Sequence, residues 1–168
     1  MAANNPKPIP EIVKDLLEYD PETGLLIRKM RRGPRKAGSI AGRVEDDGYI
    51  RVKVGQNLYP AHRIAWFLHH GQQPEGQLDH IDNDKTNNRI SNLRLATPIQ
   101  NNQNIGKTSS CTSGVKNVTW QKGAWEVRLR VNGKRMYFGR FQNLFEARER
   151  AIELRKLHHG EFANHGDR

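Results

Sequence analysis

The chain has 168 residues, the size of one ordinary domain or of two or three very small ones. Hydrophobic residues make up 35% and charged ones 27%, which allows a core of modest size, and 28 Lys and Arg against 18 Asp and Glu leave a formal charge of +10. The longest apolar run, Ile64 to Leu68, is far too short to cross a bilayer, and the single cysteine, Cys111, excludes an internal disulfide framework and a cysteine-rich zinc site. The first residues lack the apolar stretch of a signal peptide. The expectation is a cytoplasmic protein with no membrane partner, whose charge surplus points to a polyanion, most often nucleic acid.

In chain order, Ile9, Ile12, Val13, Leu16 and Leu17 make a helical stripe, closed by the turn Asp20-Pro21-Glu22-Thr23-Gly24. Residues 25–28 read as a short strand and 30–42 as an exposed basic loop. After the turn signal Asp46-Asp47-Gly48, residues 49–54 alternate apolar and cationic side chains, a strand with Arg51 and Lys53 on its wet face. Residues 61–70 follow as a helix offering Ile64, Ala65, Phe67 and Leu68 to the core. Trp66 reads as core and His69 and His70 as surface. Residues 77–82 and 92–96 read as strands around a polar loop, and Thr97-Pro98 opens a helix over 98–104.

Residues 106–113 are small and polar and read as a linker. Three strands are expected beyond it, over 115–120, 125–131 and 135–141. Lys122-Gly123 and Asn132-Gly133 supply the turns. A helix over 144–158 then carries Phe145, Ala147, Ala151, Leu154 and Leu157 on one side. The fold class is α+β: a basic leader region over 1–58, a central unit over 59–105, and a three-stranded antiparallel sheet packed on one helix over 114–168. Charge follows this division, with 11 basic against 8 acidic residues in the leader, 4 of each in the centre, and 13 against 6 after it. A neutral centre between cationic arms suits an acidic catalytic site whose flanks grip phosphates.

The chemistry concentrates in Leu78-Asp79-His80-Ile81-Asp82, Asn87-Asn88, Asn92-Leu93-Arg94 and Asn101-Asn102. Carboxylate, imidazole and carboxamide groups on two strands and a helix can converge on one point. Carboxylate and carboxamide oxygens are hard ligands suited to Mg²⁺, and a neutral imidazole beside the metal can take a proton from water. Together these groups describe metal-assisted phosphodiester hydrolysis. Asn87 and Asn88 read as loop-closing side chains, and Asp82 and Asp84 as turn formers.

Residues 59–104, on the text AHRIAWFLHHG and LDHIDNDKTNNRISNLRLATPIQNNQN, resemble the HNH motif of phage homing endonucleases. Asn92 follows His80 by twelve residues, and Asn101 follows by nine more. The resemblance implies a ββα-metal unit in which His80 is the general base and Asn92 braces the histidine and its loop. It makes Asp79 and Asn101 the metal ligands. Asn at the third position, where the founding pattern has His, argues for Mg²⁺ or Mn²⁺ over zinc. Arg63, in the His-Arg pair the family often carries before its helix, is the expected phosphate contact.

Residues 113–163, on the text SGVKNVTWQKGAWEVRLRVNGKRMYFGRF and EARERAIELRKLHHGEFAN, are similar to an AP2 DNA-binding domain. In that family the sheet lies in the major groove. The likeness puts Lys116, Trp120, Arg128, Arg130, Arg135 and Tyr137 at DNA-contact positions. The implied function is a metal-dependent, site-specific endonuclease of the homing type acting on double-stranded DNA. With one metal motif per chain, double-strand cleavage needs a dimer or two sequential nicks. The competing reading is a catalytically inactive HNH-fold DNA-binding regulator. An RNA-binding role is disfavoured, because the sheet lacks the clustered aromatics of single-strand stacking platforms.

Overall fold

The computed structural model describes residues 7–107 and 111–166. It divides into two compact units, one through Leu95 and the other from Ala96. The expected linker falls partly on residues 108–110, outside the described residues.

The first unit opens with α1 (Val13–Leu16), much shorter than the nine-residue helix expected from the stripe. The chain leaves the helix because β1 (Leu17–Asp20) pairs antiparallel with β2 (Leu25–Arg28) across the Asp20–Gly24 turn. That turn is fixed locally: the Asp20 carboxylate accepts from the Glu22 and Thr23 amides at 2.9 and 3.3 Å and from the Thr23 hydroxyl at 2.6 Å. A second sheet runs in the order β3 (Arg43–Val44), β4 (Ile50–Val54) and β5 (Asn57–Pro60). Val52 and Val54 are buried on one face of β4 and Lys53 is exposed on the other, as the alternation predicts.

Next comes α2 (Ala61–His70), which stops at Gly71 in the left-handed conformation, with φ +74° and its amide donating to the Phe67 carbonyl. Its buried face carries Ala61, Ile64, Ala65 and Phe67. The core that receives most of it gathers Ile9, Val13, Leu17, Leu26, Val52 and Val54. Leader and central segment therefore share one core, and the expected boundary at residue 58 is not a boundary in the packing. The reason is supply: a strand-loop-strand-helix element buries too little apolar surface to stand alone. β6 (Gln77–His80) and β7 (Leu93–Ala96) form a two-stranded sheet, with a 3₁₀ turn over Ile90–Asn92 leading into β7.

The second unit begins with α3 (Pro98–Asn104), capped by Thr97 in a reciprocal box with Gln100. The sequence reading kept this helix with the segment before it, whereas the compact units group it with the segment after. A three-stranded antiparallel sheet follows in the order β10 (Lys134–Phe141), β9 (Ala124–Val131) and β8 (Val118–Gln121). Lys122-Gly123 and Asn132-Gly133 turn with positive φ at all four residues, as paired strands with tight right-handed twist require. α4 (Leu144–His159) lies on the sheet and buries Ala147, Ala151 and Leu154 against Val118, Val127 and Leu129. Phe145 and Leu157, expected on that face, are 65% and 75% exposed. Instead the fully buried Arg155 faces inward, its Nη1 donating to the Lys116 carbonyl at 2.7 Å and its Nε to His165 Nδ1 at 3.2 Å. Among the described residues no helix is long and apolar enough to cross a membrane.

Candidate active site

Asp79 and His80 end β6, and both are 5% exposed. The loop from 81 to 92 closes over them through side chains that mimic backbone pairing. Asn92 is its clasp: Oδ1 accepts from the Asp82 amide at 3.1 Å, and Nδ2 donates to Asp82 Oδ1 at 2.9 Å and to the Asn87 carbonyl at 2.8 Å. Asn87 Nδ2 adds a bond to Asp82 Oδ2 at 2.7 Å, and Asp84 holds Thr86 through its hydroxyl at 2.6 Å. The Thr86 hydroxyl, and then its amide, hold the Asp84 carboxyl below its usual range. Asp82, Asp84 and Asn87 are thus loop formers, as their spacing implied. Asn92 braces the loop.

The histidine has a different partner. His80 Nε2 lies 3.0 Å from Asn88 Oδ1, and Asn88 is 2% exposed. An amide oxygen accepts, so in this contact Nε2 is the donor. Sequence reading took Asn88 for a loop closer. No spacing rule singles it out, because its role depends on a bend that brings position 88 back to position 80. On the other side of His80, Tyr49 and His62 stand with ring centroids at 6.0 and 5.2 Å. Burial, then the charges of His80, Arg63 and Arg51, pushes His62 down to about 3, so it is neutral at ordinary pH.

The Asp79 carboxylate meets Arg94 on β7, with Nε at 2.9 Å and Nη2 at 2.8 Å from Oδ2. Arg94 was absent from the expected site, since only the pairing of β6 with β7 brings position 94 to position 79. A carboxylate such as that of Asp79 is the kind of hard oxygen donor Mg²⁺ would take, and among the described residues no group of three or more His, Cys, Asp or Glu forms a closed metal cage. Asn101, the other expected ligand, lies on α3 in the second unit. Arg63 differs from its expected role. It is 8% exposed, faces inward, and donates through Nη1 to the Gly76 carbonyl at 3.2 Å.

Elsewhere on the first unit a cleft of about 470 Å³ is lined by Arg28, Arg35, Arg43, Arg51 and Lys53, with no acidic side chain among the described lining residues. Arg51 and Arg43 are held by Asp47 and Glu45 at 2.6 and 2.8 Å. Burial, then the nearby Arg35 charge, lowers Arg28 from its ordinary value.

In the second unit the register separates the expected DNA contacts. Arg130 pairs with Arg135 and Arg128 with Tyr137, and alternation puts all four on the sheet face opposite Val127 and Leu129. Arg128 is bound to Glu126 at 2.7 Å on that face. Trp120 does not join them. It opposes Trp125, and both lie on the side of Val118 and Val127, their rings 4.8 Å apart. Lys116 is not on the outer face either: its Nζ donates to the Gln103 carbonyl at 2.8 Å, and burial, then Arg155, lowers its amine to about 8.

Comparison with known proteins bears on this arrangement. Residues 59–103 match the HNH endonuclease family. Protein 3.8 of Escherichia phage T7 is 35% identical over 105 residues, covering 61% of this chain and 86% of that protein. YosQ, an SPbeta prophage-derived protein of Bacillus subtilis whose name assigns it to the HNH homing endonucleases, is 36% identical over 83 residues, 48% of this chain and 47% of its own length. An uncharacterized HNH endonuclease, L560, of Acanthamoeba polyphaga mimivirus is 55% identical over 42 residues, 25% of this chain and 22% of its own. No solved structure matches the chain. With an Asp-His pair buried under an asparagine-clasped loop inside the matched segment, and with relatives of this extent, the chain belongs to the HNH endonuclease family.

Proposed function

We propose that the protein is a metal-dependent, site-specific endonuclease of the homing type that hydrolyses a phosphodiester bond of double-stranded DNA in the cytoplasm of a host cell. The observation that carries this reading is the buried His80 at the end of β6, held by Asn88 through Nε2, in the same matched segment as the buried Asp79. His80 takes the proton from the attacking water. Asn92 keeps the loop closed behind it, so the ring does not swing as it charges. Asp79 and, by the family pattern, Asn101 would hold a Mg²⁺ or Mn²⁺ ion. Such an ion polarises the phosphodiester and neutralises charge developing on the leaving oxygen.

Binding is the task of the cationic surfaces. The cleft lined by Arg28, Arg35 and Lys53 suits backbone phosphates, and the outer face of β9 and β10 suits an AP2-like approach to the major groove through Arg128, Arg130, Arg135 and Tyr137. The ion pair of Arg94 with Asp79 favours a second reading, a DNA-binding regulator whose carboxylate is permanently neutralised.

Incubation with supercoiled plasmid separates the two. The nuclease reading requires nicked or linear product with Mg²⁺, none in EDTA, and a drop of roughly a hundredfold or more in His80→Ala with DNA binding retained, since a positioned base contributes ~10²–10⁴. Binding without any cut in Mg²⁺ or Mn²⁺ establishes the regulator. Linear product appearing with second-order dependence on protein marks a dimer, and its appearance after the nicked form marks sequential nicks.

A further inference from the structure

From the contacts between residues 19–24 and 88–90 we infer that the β1–β2 hairpin of the leader is a positioning device for the general base: Tyr19 and the Asp20–Gly24 turn fix the backbone of Asn88, and Asn88 fixes His80. The inference rests on the reading of His80 as the base. It extends the working site to a segment outside the residues that match the family.

Three separate contacts join the hairpin to the loop. The Tyr19 hydroxyl donates to the Asn88 carbonyl at 2.8 Å. Arg89 Nε donates to the Glu22 carbonyl at 2.7 Å, and the Ile90 amide donates to the Pro21 carbonyl at 3.3 Å. Bond geometry of this kind fixes position to a few tenths of an ångström. The turn also touches the loop without a gap. Gly24 has φ +75°, and a Cβ there would lie 2.5 Å from the Arg89 nitrogen and 2.6 Å from the Asn88 carbonyl carbon. Only glycine allows both the conformation and the approach.

The hairpin is itself rigid. Its turn is bonded to the Asp20 carboxylate, its strands pair from Leu17 with Arg28 to Asp20 with Leu25, and Leu17 and Leu26 are anchored in the core. Burial, then the Asp20 charge, pushes the Tyr19 phenol up to about 12, so it remains a donor across the range in which a nuclease works. Asn88 then has little freedom. Its carbonyl is held by the leader, and its side chain, 2% exposed, reaches His80 Nε2 at 3.0 Å. A shift of the Asn88 backbone moves the imidazole with it.

A rate cycle on full-length protein tests this, using single-turnover nicking of supercoiled plasmid in Mg²⁺, with duplex affinity measured in EDTA. Tyr19→Phe removes one hydroxyl and should slow nicking about tenfold at unchanged affinity, and Asn88→Ala should slow it up to about a hundredfold, the scale of an ångström-sized misplacement. Because both act through the same ring, the double variant should be no slower than Asn88→Ala alone. Ring nitrogen shifts of His80 by NMR should report the Nε2–H form in the wild type and lose it in Asn88→Ala. Wild-type nicking by Tyr19→Phe, or a double variant slowed by the product of the single effects, overturns the inference. Nicking that survives His80→Ala overturns the base assignment and the inference with it, whereas loss in His80→Ala with full activity in Tyr19→Phe overturns the inference alone.

Discussion

Arg94 donates through Nε to one oxygen of Asp79 at 2.9 Å, its Nη2 stands in ion-pair contact with the same oxygen at 2.8 Å, and the two side chains are 14% and 6% exposed. The pair joins β6 to β7 at the point where the site needs a carboxylate of fixed orientation. A buried carboxylate without a counter-charge is costly, so the guanidinium keeps the site folded when no cation is present.

Breaking such a pair costs about 3–5 kcal/mol, because one charge is left stranded. Arg94→Leu is therefore expected to unfold at a lower temperature than the wild type. Added Mg²⁺ should raise the Tm of this variant more than that of the wild type, since a cation that binds the native state stabilises it and here also answers the stranded carboxylate. Calorimetry with and without Mg²⁺ gives both numbers. Equal Mg²⁺ shifts in the two proteins would mean that Arg94 and the cation do not share Asp79.

The neutral state of His62 has a pH consequence with a definite sign. Its ordinary value is 6.5 and the folded chain holds it at about 3, through burial and the charges of His80, Arg63 and Arg51. Below about pH 6.5 the unfolded chain binds a proton there that the folded chain refuses. Stability is then lost as pH falls from about 6.5 towards 3, by at most about 1.4 kcal/mol per unit from this one group. His62→Gln keeps a neutral polar side chain and should flatten the slope between pH 6.5 and 5, a window above most carboxylate titration. Urea unfolding at three pH values reads the slope. Parallel curves for the two proteins would place the imidazole in contact with water.

Much of this was legible in the sequence because it is local. Thr97-Pro98 announces α3, Gly71 ends α2, and Asn132-Gly133 dictates the turn between β9 and β10, each through conformational preferences that act within a few residues. His80 and Asn92 were singled out through the resemblance to the HNH motif, and the structure buries both. What escaped depends on contacts distant along the chain. Asn88 reaches His80 only because Tyr19 and Gly24 press its backbone from the leader, and Arg94 meets Asp79 only through strand pairing. Trp120, expected among the contact residues, stands across the sheet from Arg128 and Arg130, because alternation along β8 sets it on the side of Val118, and it is 51% exposed there. Arg155 shows the limit of hydrophobic patterning, since a cation at a core-facing helical position displaced Leu157 from the expected stripe.

Asn92 ties the loop with three bonds to Asp82 and Asn87. Each is worth about 0.5–1.5 kcal/mol net, and losing them leaves half-buried partners unpaired. Asn92→Ala should destabilise the first unit by about 2–3 kcal/mol and slow cleavage together with stability. Asn92→Asp keeps the accepted bond but sets a carboxylate beside Asp82, so its defect should ease as pH falls towards 4. A defect independent of pH in Asn92→Asp would show that the donated bonds, and not charge, hold the loop.

The second unit offers a contrast between outward and inward cations. Arg130 and Arg135 are exposed cross-strand partners on the outer face, whereas Lys116 turns inward to the Gln103 carbonyl. If the outer face meets duplex DNA, each phosphate contact contributes about 0.9 to the slope of log affinity against log salt. Arg130→Ala and Arg135→Ala should each shallow that slope by about this amount, or, where the arginine reads a base edge, reduce preference for the cognate site by ~1–3 kcal/mol. Lys116→Met should leave both slope and preference unchanged, although it carries the same formal charge loss. Arg128→Ala should weaken binding more than either arginine variant, because it removes a cation and exposes the Glu126 carboxylate, now held at 2.7 Å, to the phosphates. Anisotropy titrations of cognate and scrambled duplexes between 50 and 200 mM salt, a range over which a many-contact protein loses orders of magnitude in affinity, resolve these slopes. A Lys116→Met slope as shallow as that of Arg130→Ala would mean that the lysine leaves its carbonyl partner to meet DNA, and that the binding surface includes the edge of the sheet as well as its face.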